Sequence, residues 1–220
     1  MLYVEARNVT YRYPKKEDAI RGISLDIFKE DVTAIIGHNG GGKTTLGKLL
    51  SGILKPVKGD IYICGEDTRE LSLGQIGKKI GYLFQNPNRQ IFTSKVEDEL
   101  LFVSKFMGGS LTEAYKKMNR ILDFFDLETK KDELTYNLSY GEKQRLALSA
   151  VLMNEPEFLI LDEPTTGLDE LRKDKLSEYL YELKKDKVGI IIISHDMEFI
   201  RLHASRKIEI ARGEIINDTR

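Results

Sequence analysis

Nine residues, Gly37-His38-Asn39-Gly40-Gly41-Gly42-Lys43-Thr44-Thr45, constrain this chain more than any other stretch. They follow the apolar run Val32-Thr33-Ala34-Ile35-Ile36 and run into an apolar pattern of helical period, Lys43 to Ile53. A buried strand, a loop reading G-x-x-x-x-G-K-[ST] and a helix together wrap backbone N–H groups around a phosphate. Side chains at Gly40, Gly41 or Gly42 would block that approach. Lys43 supplies a point charge to terminal phosphates, and the Thr44 hydroxyl suits a Mg²⁺ ion. The segment therefore predicts binding of a nucleoside triphosphate. Its contacts are expected at Gly37, Asn39, Gly40, Gly41, Gly42, Lys43, Thr44 and Thr45.

Composition narrows the partners. Thirty-four Lys and Arg against 35 Asp and Glu leave a net charge of −1, so no bulk positive field calls for nucleic acid. Apolar stretches such as Leu146 to Met153 are far shorter than a membrane span. The opening Met1-Leu2-Tyr3-Val4-Glu5 lacks the basic and apolar regions of an export signal, which leads us to expect an intracellular chain. Cys64 has no second cysteine to pair with, and we expect it as a small buried residue on a strand.

Periodicity sets the expected architecture. Leu2 to Tyr13, Ile23 to Phe28 and Asp60 to Cys64 alternate at about period two and read as an antiparallel sheet beside the loop. Ile80 to Phe84 is a short buried strand. From Val96, apolar residues step at helical spacing through Leu100, Val103 and Met107. After Gly108-Gly109, Ser110 and Glu113 offer a capping box for a second helix, and a third runs from near Gly141 to before Pro156. Strand and helix then alternate again: Phe158 to Leu161, a helix through Leu176 and Leu180, Gly189 to Ile193, and a strand pattern from Lys207 to Asn217. Short, fully apolar strands suit a parallel sheet covered on both faces. The expectation is one domain: an α/β core over residues 1–84 and 156–220, with a helical subdomain inserted at 85–155.

Chemistry in such a sheet belongs at the carboxyl ends of the strands. Phe158 to Leu161 runs into Asp162 and Glu163, a pair suited to holding Mg²⁺ and to activating a water beside the last phosphate. The apolar run to Ile193 ends at Ser194-His195, and Ile80 to Phe84 ends at Gln85, which can orient water or metal. The expected catalytic set is Glu163, His195 and Gln85, with Thr44, Gln85 and Asp162 about the metal.

Leu138-Ser139-Tyr140-Gly141-Glu142-Lys143-Gln144-Arg145 opens a helix about twenty residues before Asp162. It resembles the signature of ATP-binding cassette (ABC) ATPases, and the chain is similar to that domain from end to end. The resemblance implies the P-loop nucleoside triphosphatase fold: a parallel core sheet, an N-terminal antiparallel β subdomain and an inserted α-helical subdomain. It casts Gln85 as the Q-loop residue, Phe158 to Glu163 as the Walker B strand, Thr166 to Asp169 as the D-loop and His195 as the switch histidine. It puts Tyr13 against adenine, with Tyr11 as the fallback. ATP and Mg²⁺ are the implied cofactors. Ser139, Gly141 and Glu142 are expected to face the nucleotide of a second cassette, since a hydroxyl and a helix N-terminus suit an anion there.

Gln85-Asn86-Pro87, followed by a second glutamine at 90, looks like the energy-coupling factor group of cobalt and vitamin uptake ATPases. That resemblance implies an integral membrane subunit as partner, a peripheral position on the cytoplasmic face of the membrane, and a docking groove lined by Arg89, Ile91, Phe92 and Phe106. Tyr140 departs from the family, which usually has glycine there. Its bulk favours a heterodimer with a more regular cassette over a homodimer. His38 stands where proline is common, and Glu142 where glutamine is. A subunit of another ABC transporter class is the alternative; a non-transport ABC protein or a nucleotide kinase fits the motifs less well.

Overall fold

Four almost wholly apolar strands pair in parallel to carry the phosphate loop. The structure, a computed structural model, describes residues 1–107 and 110–220, and all of their side chains except those of Phe106 and Met107. Strands β3 (Val32–Ile36), β6 (Ile80–Leu83), β7 (Phe158–Asp162), β8 (Gly189–Ile193) and β9 (Arg206–Ala211) lie in the order β9-β3-β8-β7-β6, with β10 (Glu214–Thr219) added antiparallel outside β9. Alternation within each apolar run sends side chains to opposite faces. Leu159, Leu161, Ile190 and Ile192 join one core with the helices; Phe158, Ile160, Ile191 and Ile193 join the other. Such strands are buried on both sides, which is why their sequences show no polar face.

The second core lies against an antiparallel sheet in the order β2-β1-β4-β5, built from β1 (Leu2–Arg12), β2 (Asp18–Phe28), β4 (Lys58–Ile63) and the two-residue β5 (Glu66–Asp67). Tyr3 of this sheet stacks on Phe158 of the parallel one, ring centroids 4.8 Å apart. Helix α1 (Lys43–Leu50) lies between the two sheets, with Leu46, Leu49 and Leu50 fully buried. It stops short of the expected Ile53 because Gly52 turns left-handed, φ +67°.

The first core holds α3 (Val96–Met107), α4 (Leu111–Phe124), α5 (Tyr140–Leu152) and α6 (Glu170–Lys185). Ser110 caps α4 by accepting the Glu113 N–H, but among the described residues the return bond from the Glu113 carboxylate is absent, so the expected box is half formed. Complete boxes occur at Ser139–Glu142 and at Ser72–Gln75. The latter opens α2 (Leu73–Lys79), a short helix with Ile76 as its one buried residue and too little periodicity to be read from sequence.

Two features differ from the sequence reading for a common reason. Cys64 is exposed and lies in a turn, not buried on a strand. Cys64 and Gly65 have φ of +52° and +80°, and Ile63 pairs with Glu66 across them. The pattern from Lys207 to Asn217 is likewise a hairpin, with Arg212 and Gly213 at φ +50° and +82° between the partners Ala211 and Glu214. Both are two-residue turns with positive φ at each central residue.

Leu161 is fully buried between β7 and the helical core. Leu161→Ala is expected to destabilise the chain by about 2–5 kcal/mol, measurable by urea denaturation; a loss below about 1 kcal/mol would show that the helices do not pack this face tightly.

Candidate active site

The phosphate loop leaves β3 through glycines that the fold demands. Gly37 has φ +139°, and a Cβ there would come within 2.1 Å of the Ile210 carbonyl of β9. Gly42 has φ +109° and lies against the Ala19 carbonyl of β2. Asn39 and Gly40 are exposed, while Lys43 and Thr45 are buried in the first turn of α1. Lys43 Nζ donates to the carbonyls of Gly37 (2.8 Å) and His38 (3.1 Å), so its charge spans the mouth of the loop. The Tyr13 hydroxyl lies 3.3 Å from Thr45 Oγ1, which puts the ring beside this helix, and Tyr11 meets it edge-on.

Two carboxylates follow from the end of β7 and face different partners. Asp162 is almost fully buried; it accepts from Thr44 Oγ1 at 3.2 Å and from the Tyr82 hydroxyl at 3.1 Å. Burial pushes its carboxyl above the usual range, against those two hydrogen bonds, and the neighbouring Glu163 charge adds to the rise. Glu163 is left-handed, φ +54°, and its N–H donates to the Ile193 carbonyl of β8. Its Oε2 accepts from Ser194 Oγ at 3.2 Å and lies 2.8 Å from His195 Nδ1. The imidazole itself is 72% exposed. The carboxylate is thus held from inside, and its histidine partner is open to solvent.

A cavity of about 410 Å³ joins Thr44 and Asp162 to Lys48, Gln85, Arg89 and Tyr140. Thr44, Gln85 and Asp162, expected about the metal, thus line one cavity. Among the described residues no group of three or more His, Cys, Asp or Glu could hold a metal unaided. Thr44 and Asp162 nevertheless present two hard oxygens, one of them on a buried carboxylate, a donor set that fits Mg²⁺ completed by phosphate and water oxygens.

Ser139, Gly141 and Glu142 form no part of that cavity. Glu142 is engaged locally: it accepts from the Ser139 N–H at 2.8 Å and the Ser139 hydroxyl at 2.7 Å, and these bonds hold its carboxyl below the usual range. Tyr140 turns back onto its own chain, its hydroxyl donating to the Gln85 carbonyl at 3.1 Å. Of the residues expected in a docking groove, Arg89 lines the cavity at Thr44 and Asp162, and Ile91 packs on the helical core. Phe92 is 63% exposed at a separate apolar groove of about 340 Å³ that Leu73 and Phe102 also line. The Phe106 side chain lies outside the described residues. Sequence reasoning missed Tyr82 and Ser194, whose only signal is a polar atom at or near the end of an apolar run.

A phosphate loop, a buried Asp-Glu pair and a strand-end histidine on one parallel sheet, with a capped signature helix opposite, define an ATP-binding cassette ATPase. The chain belongs to the ABC transporter family, whose pattern it matches over residues 20–166. It is 36% identical over 215 residues to the energy-coupling factor transporter ATP-binding protein EcfA of Methanothermobacter thermautotrophicus, covering 97% of this chain and 69% of that one. Other relatives of similar identity are described only as putative ABC transporter ATP-binding proteins. Among solved structures, cbiO1 of Clostridium perfringens, part of the ABC transporter complex cbiONQ, superposes with a TM-score of 0.83 at 33% identity over 99% of this chain and 88% of that one. The cassette MJ0796, in a dimeric post-hydrolysis state with ADP and Pi, does so with a TM-score of 0.88 at 28% identity over 99% and 98%.

A buried carboxyl whose value is raised on folding contributes stability below its unfolded value and loses it as pH rises through the folded one. Asp162 therefore weakens the nucleotide-free fold at neutral pH. Asp162→Asn is expected to melt at a higher temperature than the parent at pH 7, the gap closing as pH falls below the ordinary aspartate range. Calorimetry across pH checks this; a lower melting temperature at pH 7 would show that the ionised form is the better accommodated one.

Proposed function

We propose that the chain is the ATP-hydrolysing subunit of a membrane importer of the energy-coupling factor type, taking up a vitamin or a transition metal ion. The observation that carries the ATPase chemistry is the meeting of Thr44 with Asp162, and of Glu163 with His195, at neighbouring strand ends. On this reading the chain is one cassette in which residues 85–155 form the helical subdomain. The importer class is supported by the Gln85-Asn86-Pro87 stretch with its second glutamine at 90, and by the likeness to EcfA and cbiO1.

The loop glycines and Lys43 bind the phosphates, and Tyr13 offers its ring to adenine. Thr44 and Asp162, with Gln85 lining the same cavity, would hold Mg²⁺, which would supply neutralisation of the phosphate charge. Glu163, fixed by Ser194, accepts the proton of the attacking water, and His195 holds the carboxylate oriented. A second cassette contributes its signature to this site, and this chain's Ser139 and Gly141 serve the other. The heterodimer is favoured because Tyr140, 43% exposed, belongs to the face that a second cassette meets. The apolar groove at Leu73 and Phe92 receives the membrane subunit. Among the described residues no helix is long and apolar enough to cross a membrane, so attachment to the cytoplasmic face would come through that partner.

Lys43→Ala is expected to abolish tight ATP binding, while Thr44→Ala weakens it chiefly with Mg²⁺ present; titration calorimetry measures both. Unchanged affinity in the Lys43 variant would sink the ATPase reading. Glu163→Gln is expected to keep ATP binding and lose about 10²–10⁴ in turnover, because the amide cannot take the proton. Co-purification of the tagged chain from native membranes is expected to yield a second, different cassette and an integral membrane protein. Recovery of a tight, fully active homodimer would overturn the heterodimer.

A further inference from the structure

The Gln85–Gln90 loop is fastened to α5 at both of its ends. At one end the Tyr140 hydroxyl donates to the Gln85 carbonyl at 3.1 Å. At the other, Gln90 accepts from the Phe84 N–H at 3.1 Å and donates through Nε2 to the Ala147 carbonyl at 3.2 Å. The two α5 attachments are seven residues apart, about 10 Å along the helix. The Tyr140 ring has its own brace. Gly167 adopts φ +77°, and a Cβ there would come within 3.0 Å of Tyr140 Cδ1. Ring and hydroxyl together tie the first turn of α5 to the loop after β6 and to the turn after β7.

The tie matters because of what the loop carries. Gln85 and Tyr140 line the same cavity as Thr44 and Asp162. Gln85 is exposed and follows the end of β6, so sheet pairing does not fix it. We propose that Tyr140 is a positioning residue for the metal-bearing wall of the nucleotide site: its hydroxyl fixes the Gln85 backbone against α5, so that the Gln85 side chain is presented beside Thr44 and Asp162. The proposal rests on the ATPase reading above. A glycine at 140 has no donor to make this bond and no ring to lean on Gly167. The first turn of α5 and the metal-bearing wall are therefore coupled in this chain, and of the two hydrogen bonds to α5 the Gln90 one alone would remain without Tyr140.

Tyr140→Phe in the full 220-residue chain isolates the hydroxyl, since the ring can keep its seat on Gly167. Two measurements test the proposal. In the nucleotide-free chain, amide exchange over Asn88–Ile91 is expected to quicken roughly threefold to tenfold, the range for one ordinary hydrogen bond, with β7 and β8 unchanged. Affinity for ATP with Mg²⁺ is expected to fall by a similar factor, while affinity for ATP in EDTA stays the same. Unaltered exchange at Asn88–Ile91 would overturn the proposal whatever the nucleotide does. Equal loss of both affinities would also overturn it, since damage to the pocket at large has no reason to single out the metal. A parent chain that binds ATP under neither condition would instead refute the ATPase reading, and the exchange measurement would still decide whether the tether exists.

Discussion

The parallel pairing of β7 between β6 and β8 is the constraint on which the site depends. Leu83 lies level with Leu161, and Ile193 with Asp162, so three strands end together. Glu163 then donates one further bond to the Ile193 carbonyl while its own backbone turns left-handed. That turn sends two consecutive carboxylates to different tasks. Asp162 stays among Thr44 and Tyr82, and Glu163 meets Ser194 and His195. A register slip of one residue would exchange the two faces of β7 and separate both carboxylates from their partners.

Burial works against the charge on Asp162. Asp162 is held where its charge is costly, and its hydroxyl donors offset only part of that cost. A carboxylate held at such a cost suits a role in binding a cation, in keeping with the trade between stability and function at active sites. Around it the scaffold is stiff: apolar strands buried on both faces and α1 wedged between two sheets. The Gln85–Gln90 loop is the exception, held to α5 by the Tyr140 hydroxyl and by its own Gln90 amide in place of ladder bonds.

The residues legible in the sequence are those whose chemistry coincides with a strand end. The loop from Gly37 to Thr45, Asp162 with Glu163, and His195 each follow an apolar run, and the structure places them together. Tyr82 and Ser194 escaped because an aromatic within a strand and a serine after one read as packing and turn. The short α2 escaped for want of periodicity, and Cys64 was misplaced because a Cys-Gly pair gives a weaker turn signal than Asn-Gly. The bond from Tyr140 to Gln85 could not be read at all. It joins residues 55 positions apart, and no local pattern reports where a tyrosine at a helix start will turn.

The capping box at Ser139 and Glu142 has an electrostatic consequence for whatever approaches α5. The partial positive charge at this helix start is already answered by an intramolecular anion, the Glu142 carboxylate, seated on the Ser139 N–H and hydroxyl. The carboxylate in turn lies 3.6 Å from Lys130 Nζ, so the serine donor is engaged and the acid that engages it is itself paired. An anion that used the Ser139 hydroxyl as a donor would have to take it from Glu142. The cap thus makes the helix start a site of exchange between anions, in which any newcomer competes with a carboxylate already in place.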